Sequence, residues 1–163
     1  MKLEILKESE INETCAMIER ACRQSTLVDF YPAETVNGIV TTCDYDFIKR
    51  RMTWTHFYVL KVDDKIVGCG AIGPYWDSLT ESCLFTIFVD PSYQGKGYGR
   101  KIIECLENDE YGLRAKTIYV HSAISAIPFY KKNGYEHKNG QLNYQDGHFE
   151  LEKKFNCAVR EKQ

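Results

Sequence analysis

The sequence predicts a mixed α/β fold, in which helices connect some of the strands and hairpins connect others. Three strand-like runs separated by short turns occupy residues 56–89, and helical apolar spacing precedes and follows them. The predicted order is β-α-α-(α)-β-β-β-α-β-α-β-β, which does not favour a doubly wound parallel sheet. The 163 residues fit one domain, and we expect residues 1–163 to form it.

The first third of the chain is predicted to be mostly helical. Residues 2–7 alternate polar and apolar side chains, which predicts an opening strand. Ser9 is the expected N-cap of the first helix, and Asp44 or Asp46 that of the third. The predicted helices are residues 10–22, 32–40 and 47–52.

Strands and helices alternate in the remainder of the chain. Asp63-Asp64 makes the turn of a hairpin, and Gly112 is expected to end the helix that follows the third strand of this region. Ser125 is the expected N-cap of a last helix, which Gly134 closes. The predicted strands are residues 56–62, 66–72, 83–89, 117–121, 135–138 and 148–155.

Charge and cysteine usage exclude several classes of protein. The chain has 21 Lys and Arg against 23 Asp and Glu, so no excess positive field is available for nucleic acid or an anionic membrane surface. We expect no signal segment, since residues 1–5 form no continuous apolar run, and no membrane span, since no uncharged run reaches the ~20 residues that cross a bilayer. Seven cysteines without a C-x-x-C pair predict buried free thiols, and therefore a cytoplasmic protein. No cluster has metal-ligand spacing, so no metal is expected.

The most informative segment is a strand that runs through a glycine-rich loop into a helix, residues 87–100. Gly95, Gly97 and Gly99 let successive backbone N–H groups converge on one point, and the helix start adds its own unsatisfied N–H groups. Lys96 and Arg100 supply cations nearby. These features predict a phosphate site, the alternative being a flexible turn. The magnesium hydroxyl of a mononucleotide P-loop is missing, and the glycine spacing differs from the dinucleotide fingerprint.

Two motifs in this chain resemble the GNAT superfamily of N-acetyltransferases. Gln94-x-x-Gly97-x-Gly99 matches the signature Q/R-x-x-G-x-G/A, and residues 126–135 resemble the family segment A-x-x-F-Y-x-x-x-G-F/Y. The resemblance implies a central, mostly antiparallel sheet flanked by helices. It also implies acetyl-coenzyme A as cosubstrate and a small-molecule or peptide amine as acceptor. A homodimer is one option for the assembly.

The resemblance also implies roles for particular residues. The pyrophosphate would lie on the loop amides, and the pantetheine arm would pair with the preceding strand. Tyr130 corresponds to the general acid that protonates the departing thiolate, the alternative being a packing role. Ala123 stands where many relatives have a cofactor-binding asparagine, which Ser122 or Ser125 could replace. The implied cofactor-binding residues are Ile87, Phe88, Val89, Gln94, Gly95, Lys96, Gly97, Tyr98, Gly99 and Arg100.

The general base is the less defined part of the predicted site. His121, at the end of a strand beside the cofactor strand, is the preferred residue, and a structural histidine is the alternative. Glu81 is the second candidate. Direct attack of the amine is favoured over a covalent cysteine route, because no cysteine has an evident histidine partner. A non-catalytic acyl-coenzyme A sensor is the competing function.

The acceptor is not defined by a motif. Acidic side chains near the aromatic residues of the helical region suggest a cationic small molecule, or else a solvated face. They are Asp29, Glu34, Asp44 and Asp46. A Cβ at Gly97 or Gly99 is expected to meet the pyrophosphate, so valine at either position should abolish cofactor binding.

Overall fold

A computed structural model describes residues 1–156 of the chain. The helices are α1 (Ile11–Gln24), α2 (Leu27–Phe30), α3 (Ala33–Thr42), α4 (Tyr45–Met52), α5 (Tyr98–Glu107), α6 (Glu110–Arg114) and α7 (Ile127–Lys132). The strands are β1 (Lys2–Ile5), β2 (His56–Val62), β3 (Lys65–Pro74), β4 (Glu81–Val89), β5 (Thr117–Ser122), β6 (Glu136–His137), β7 (Tyr144–Gln145) and β8 (His148–Lys154).

All the strands belong to one mixed sheet. Its order is β1-β2-β3-β4-β5-β8-β6, and β7 pairs with the start of β8. Every pairing is antiparallel except that of β4 with β5, which run parallel and are joined through α5 and α6. The mixed α/β class and the mostly antiparallel sheet are confirmed.

Helices cover both faces of the sheet and form a separate apolar core on each. Met17 and Ile18 of α1 pack with Val59 of β2 on one face. Ile102 and Ile103 of α5 pack with other strand residues on the second face. Alternate residues of a strand point to opposite faces, so a sheet buried on both sides reads as a nearly continuous apolar run. This explains the sequence of β3, in which residues 66–73 are all buried.

The structure corrects several element boundaries. Ser9 lies inside a 3₁₀ turn, and Glu10 is the N-cap of α1. Ser125 likewise lies in a 3₁₀ turn, so its expected capping role is wrong. Gly112 is inside α6 and does not end α5. Asp44 caps α4 by accepting a hydrogen bond from the Phe47 N–H at 2.8 Å, which decides between the two expected caps.

The cysteines behave as small apolar residues in the part of the chain described. Cys22, Cys69 and Cys83 are buried free thiols, whereas Cys157 lies outside the described residues. None of the helices between residues 1 and 156 combines the length and apolar character that crossing a bilayer requires.

Candidate functional site

The central feature of the site is the point at which the parallel strands β4 and β5 separate. Their paired register ends at Leu84 and Val120, and β4 then continues without this neighbour to Val89. β5 remains paired with β8. The gap opens into a cavity of about 1340 Å³, which is lined by α1–α4, the glycine loop, α7 and the turn before β8. Such a volume is large enough for an elongated ligand together with a second, smaller one.

A β-bulge turns the end of β4 towards this cavity. Register between β3 and β4 shifts between Cys69 and Ala71, and Thr86 on β4 has a φ of +52°. A β-branched residue rarely adopts positive φ, so the surrounding structure must hold it there. The bulge leaves Thr86, Ile87, Phe88 and Val89 along the cavity wall. Three of these were predicted cofactor-binding residues, and Thr86 was missed because periodicity carries no signal of a bulge.

The glycine loop has the backbone geometry expected of an anion site. Gly95 and Gly97 have φ values of +74° and +81°, and a Cβ at either would meet no atom within 4 Å. Gly97 is also the N-cap of α5, which has no side-chain cap. Across the described residues, the N–H groups of residues 95–100 have no protein acceptor. Open N–H groups at the start of a helix fit a pyrophosphate.

The side chains of the loop differ in whether they face the cavity, although the sequence predicted a cofactor contact for each. The Gln94 amide donates to the Val89 carbonyl at 3.1 Å and so ties the loop to the end of β4. Tyr98 and Arg100 line the cavity, and the Arg100 guanidinium pairs with Glu104 at 2.9 Å. Lys96 instead lies with Nζ 5.2 Å from the Tyr93 ring centroid and does not line the cavity.

Gly99 has a different role from the one expected of its Cβ. A Cβ there would lie 2.9 Å from Cε2 of Phe129, on α7. Gly99 therefore lets α5 and α7 approach closely. A Cβ at Gly99 would thus be directed at Phe129 and not into open space, and its expected contact with the pyrophosphate stays a prediction. The backbone N–H of Gly99 belongs to the first turn of α5.

An ion pair holds the loop against α1. Asp90, nearly fully buried after the end of β4, contacts Nε of Arg20 at 2.9 Å and accepts the Ser92 N–H at 3.0 Å. Burial acts to raise the pKa of Asp90, but these contacts outweigh it, and the pKa lies below its usual value. The carboxylate is therefore ionised and fixes the position of the loop.

Tyr130 is the buried residue of α7, and it both packs against neighbouring rings and lines the cavity. Its ring packs edge-on against Phe129 and Tyr135, with centroid distances of 5.1 and 5.9 Å. Burial raises its pKa, so the phenol stays protonated. Tyr130 lines the cavity, and its hydroxyl has no hydrogen-bond partner among residues 1–156. It can therefore donate a proton to a group in the cavity.

His121 also lines the cavity, on the C-terminal end of β5. Its Nε2 lies 3.9 Å from Glu150 Oε1, a carboxylate already held by Lys138 at 3.1 Å. Partial burial lowers the pKa of His121 from its ordinary value of 6.5; the Glu150 carboxylate opposes this shift, and His148 and Lys138 add to it. The imidazole is therefore neutral near pH 7 and can accept a proton. His148, which also lines the cavity, was not predicted to do so.

The other candidates for chemistry lie elsewhere or are inert. Glu81, at the opposite end of β4 from the bulge, accepts a hydrogen bond from the Tyr119 hydroxyl at 2.9 Å and does not line the cavity. Burial raises the pKa of Cys22 to about 12 and that of Cys43 to about 11, so neither cavity thiol is a nucleophile at neutral pH. Within the described residues, no group of three His, Cys, Asp or Glu side chains could hold a metal.

Tyr31 lines the cavity and links two segments beside it, which the sequence did not indicate. Its hydroxyl donates to the Gly147 carbonyl at 2.7 Å and accepts the Ile124 N–H at 3.0 Å. The Tyr31 side chain thus connects the end of α2 to the segment before α7 and to the turn before β8. Ser125 lines the cavity, whereas Ser122 is buried and its hydroxyl donates to the Ala123 carbonyl at 2.8 Å, so of the two serines only Ser125 borders the cavity.

The four acidic residues of the helical region form a solvated face. All are exposed and none lines the cavity, so the suggestion of an acidic acceptor pocket is wrong. They are Asp29, Glu34, Asp44 and Asp46. The charged residue that this region does contribute to the cavity is Arg51.

Comparison with known proteins gives consistent results. A sequence profile of the acetyltransferase (GNAT) domain matches residues 53–137 of this chain. An amino-acid acetyltransferase of Pseudomonas syringae is 27% identical over 110 residues, which cover 68% of this chain and 24% of the relative. The chain thus spans about a quarter of the length of the curated relatives it matches.

Two solved structures share the fold over almost the whole chain. The PaiA N-acetyltransferase of Thermoplasma acidophilum, in complex with coenzyme A, superposes with a TM-score of 0.76 at 14% identity, covering 95% of this chain and all of that one. A GCN5-related N-acetyltransferase of Rhodopseudomonas palustris gives a TM-score of 0.78 at 21% identity, covering 94% and 95%. At these sequence identities, the structural similarity establishes a shared fold and nothing further.

Proposed function

Because this chain belongs to the GNAT acetyltransferase family, we propose that it moves an acetyl group from acetyl-coenzyme A to a primary amine of a small molecule or peptide. The observation that carries the proposal is that one cavity joins the open loop amides to Tyr130 and His121, at the separation of β4 and β5. Residues 1–163 act as one domain in this proposal, and the cytoplasm is the expected compartment.

The loop and the bulged strand supply the cofactor site in this proposal. The N–H groups of residues 95–100 bind the pyrophosphate oxygens, and the positive end of the α5 dipole adds to the attraction. The free edge of β4, at residues 87–89, pairs with the amide-bearing arm of coenzyme A as a further strand would. The thioester carbon then lies near Thr86 and within reach of both titratable groups.

His121 and Tyr130 divide the proton transfers between them. Acetyl-coenzyme A supplies the activated acyl group, as a thioester. His121 takes a proton from the acceptor ammonium, directly or through water, so that the nitrogen lone pair is free to attack. Tyr130 donates its hydroxyl proton to the departing sulfur as the new C–N bond forms and the C–S bond breaks. The nitrogen loses its second proton when it becomes the amide, and that proton returns to Tyr130, so the products are the acetylated amine, the coenzyme A thiol and the one proton held by His121. The high pKa values of Cys22 and Cys43 support direct attack over a cysteine intermediate.

A non-catalytic acyl-coenzyme A sensor is the competing function, and it would use the same loop without proton transfer by Tyr130 or His121.

An assay of thiol release separates the two functions. The protein and acetyl-coenzyme A are incubated with amines, polyamines, amino acids or peptides, and release of the free coenzyme A thiol is followed. Free amino acids belong in the panel because the curated relatives are named amino-acid acetyltransferases. Amine-dependent release supports the enzyme. Tight acetyl-coenzyme A binding with no release for any amine would favour the sensor.

A further inference from the structure

Arg51 is enclosed by aromatic rings at the wall of the cavity. It lies in the last turn of α4, and its guanidinium carbon is 4.7 Å from the ring centroid of Phe47, 5.2 Å from that of Trp54 and 4.5 Å from that of Phe85. The three rings come from α4, the segment after it and β4. They hold the guanidinium plane in place but accept none of its N–H groups as a carboxylate would.

The guanidinium has no anionic partner in the described part of the chain. It makes no ion pair and no side-chain hydrogen bond within residues 1–156, although it carries five N–H donors and stays charged. Burial lowers its pKa, because the cation is partly removed from water. The Arg51 nitrogens remain accessible to solvent. In the described residues, the fully buried polar side-chain atoms without a hydrogen-bond partner are Arg114 Nε and His137 Nδ1, and no Arg51 nitrogen is among them. A partly desolvated cation that faces a cavity favours an anion there.

The position of Arg51 places it on the acceptor side of the cavity. Phe85, against which it packs, directly precedes the Thr86 bulge. Phe85 and His121 also line a second, smaller pocket, so the ring that contacts Arg51 shares both pockets with His121. The other lining cations, Arg100 and Lys132, belong to α5 and α7 beside the phosphate loop. A single carboxylate, Asp146, lines the cavity among the described residues, on the turn before β8.

We propose that Arg51 binds a carboxylate of the acceptor, and that the acceptor is therefore an amino acid with an apolar side chain. This inference rests on the proposed acetyl transfer, whose acceptor it specifies. The planar guanidinium accepts a carboxylate through two parallel N–H bonds, which fixes the orientation of the molecule. Phe47, Phe85 and Ile39 offer the apolar wall for the rest of the acceptor. The amine then points towards His121 and the bulge.

Matched acceptors test the proposal. Leucine, methionine and phenylalanine are compared with their amides and with the corresponding decarboxylated amines. Arg51→Gln and Arg51→Met should lower kcat/KM for the amino acids by about 10- to 100-fold, mainly through KM, and change it little for amides and amines. Arg51→Lys should fall between, because an ammonium lacks the planar fork. Arg50→Gln is the control, since Arg50 is the exposed neighbour on the same helix.

A binding measurement separates this proposal from the proposed transfer. The protein loaded with coenzyme A is titrated by calorimetry with N-acetyl amino acids and with their N-acetyl amides. Binding of the acids that is lost in Arg51→Met, while coenzyme A binding is retained, supports the role of Arg51 even if no amine is acetylated. Acetylation with equal kcat/KM for acids and amides, or an equal loss for both in the variants, would overturn it and leave the transfer standing.

Discussion

The hydroxyl of Tyr130 combines burial with a free donor, which is the state a general acid needs. We predict that Tyr130→Phe lowers kcat by about 10²–10⁴-fold, because the departing sulfur then lacks its proton source. The ring contacts with Phe129 and Tyr135 survive in the variant. Acetyl-coenzyme A affinity and melting temperature should therefore stay close to those of the wild type. Steady-state kinetics with the best acceptor checks this, and unchanged turnover would reduce Tyr130 to packing.

A second prediction for a single residue concerns the pH dependence of the reaction. The pKa of His121 is lowered by burial, so the rate should rise with pH through one ionisation below about 6.5 and then level off. His121→Ala should remove this limb, and His148→Ala should keep it. The pH profile of kcat/KM for two acceptors of different amine pKa is the measurement. A limb that moves with the acceptor and persists in His121→Ala would assign it to the amine.

Single residues also mark where sequence reasoning ended. Glycine spacing predicted the loop in which Gly95 and Gly97 adopt positive φ, since a glycine pattern is readable without a structure. Arg51 and Thr86 left none: an arginine at the end of a polar helix normally points to solvent, and a threonine in a strand normally has extended φ. Only the packing of α4 on Phe85 and the bulge opposite Gly70 reveal them.

At the scale of elements, the join between α1 and the end of β4 depends on a buried charge. We predict that Asp90→Asn lowers the free energy of unfolding by about 1–3 kcal/mol at pH 7, because the ion pair with Arg20 is lost. The pKa of Asp90 is depressed in the folded state, so this stabilisation is complete above the unfolded pKa of about 3.9 and disappears as pH falls through the folded value. Urea unfolding at pH 7 and pH 3 checks it. A gap between the two proteins that is as large at pH 3 would contradict the assignment.

A second prediction at the scale of elements concerns the glycine loop and the helix α5 that follows it. Gly97→Val should abolish acetyl-coenzyme A binding, because a β-branched residue is strained at a φ of +81° and its side chain enters the open cradle. Gly99→Ala should act first on stability, because its Cβ would press on Phe129 and separate α5 from α7.

A matched control separates strain from binding at the loop. Gly140, whose φ is +67° with open space around it, lies outside the cavity lining, so Gly140→Val carries comparable strain and should leave binding intact. Calorimetry and thermal melting on the three variants give both quantities. Wild-type affinity in Gly97→Val would remove the loop from the cofactor site.

Element lengths explain which parts of the fold were predictable. The long, periodic segments, such as α1 and β2–β4, were located within a few residues because their apolar spacing extends over several repeats. The helices α2 and α6 and the strand β7 span five residues or fewer, which is too short for a period to show. They form because their neighbours and the sheet edge offer contacts that are distant in sequence.

For the whole molecule, the alternation of helices and hairpins predicted the fold class, and two motifs about 30 residues apart predicted the family. The acceptor side depended on tertiary packing. The acidic residues that suggested a cationic acceptor are exposed to solvent, and the charged residue that the helical region contributes to the cavity, Arg51, has the opposite sign. The sequence could not show which charged side chains face the cavity and which face solvent, because the orientation of each helix is set by the packing of α1 against α3 and α4.

The central claim, that one cavity binds acetyl-coenzyme A and passes its acetyl group to an amine, is tested most directly by following the acetyl group itself. The protein is incubated with isotopically labelled acetyl-coenzyme A and the best acceptor, and the acceptor is analysed by mass spectrometry. We predict label on the acceptor nitrogen, at a rate that falls in Tyr130→Phe and vanishes in Gly97→Val. Saturable binding of acetyl-coenzyme A with no labelled product for any amine in the panel would contradict the account.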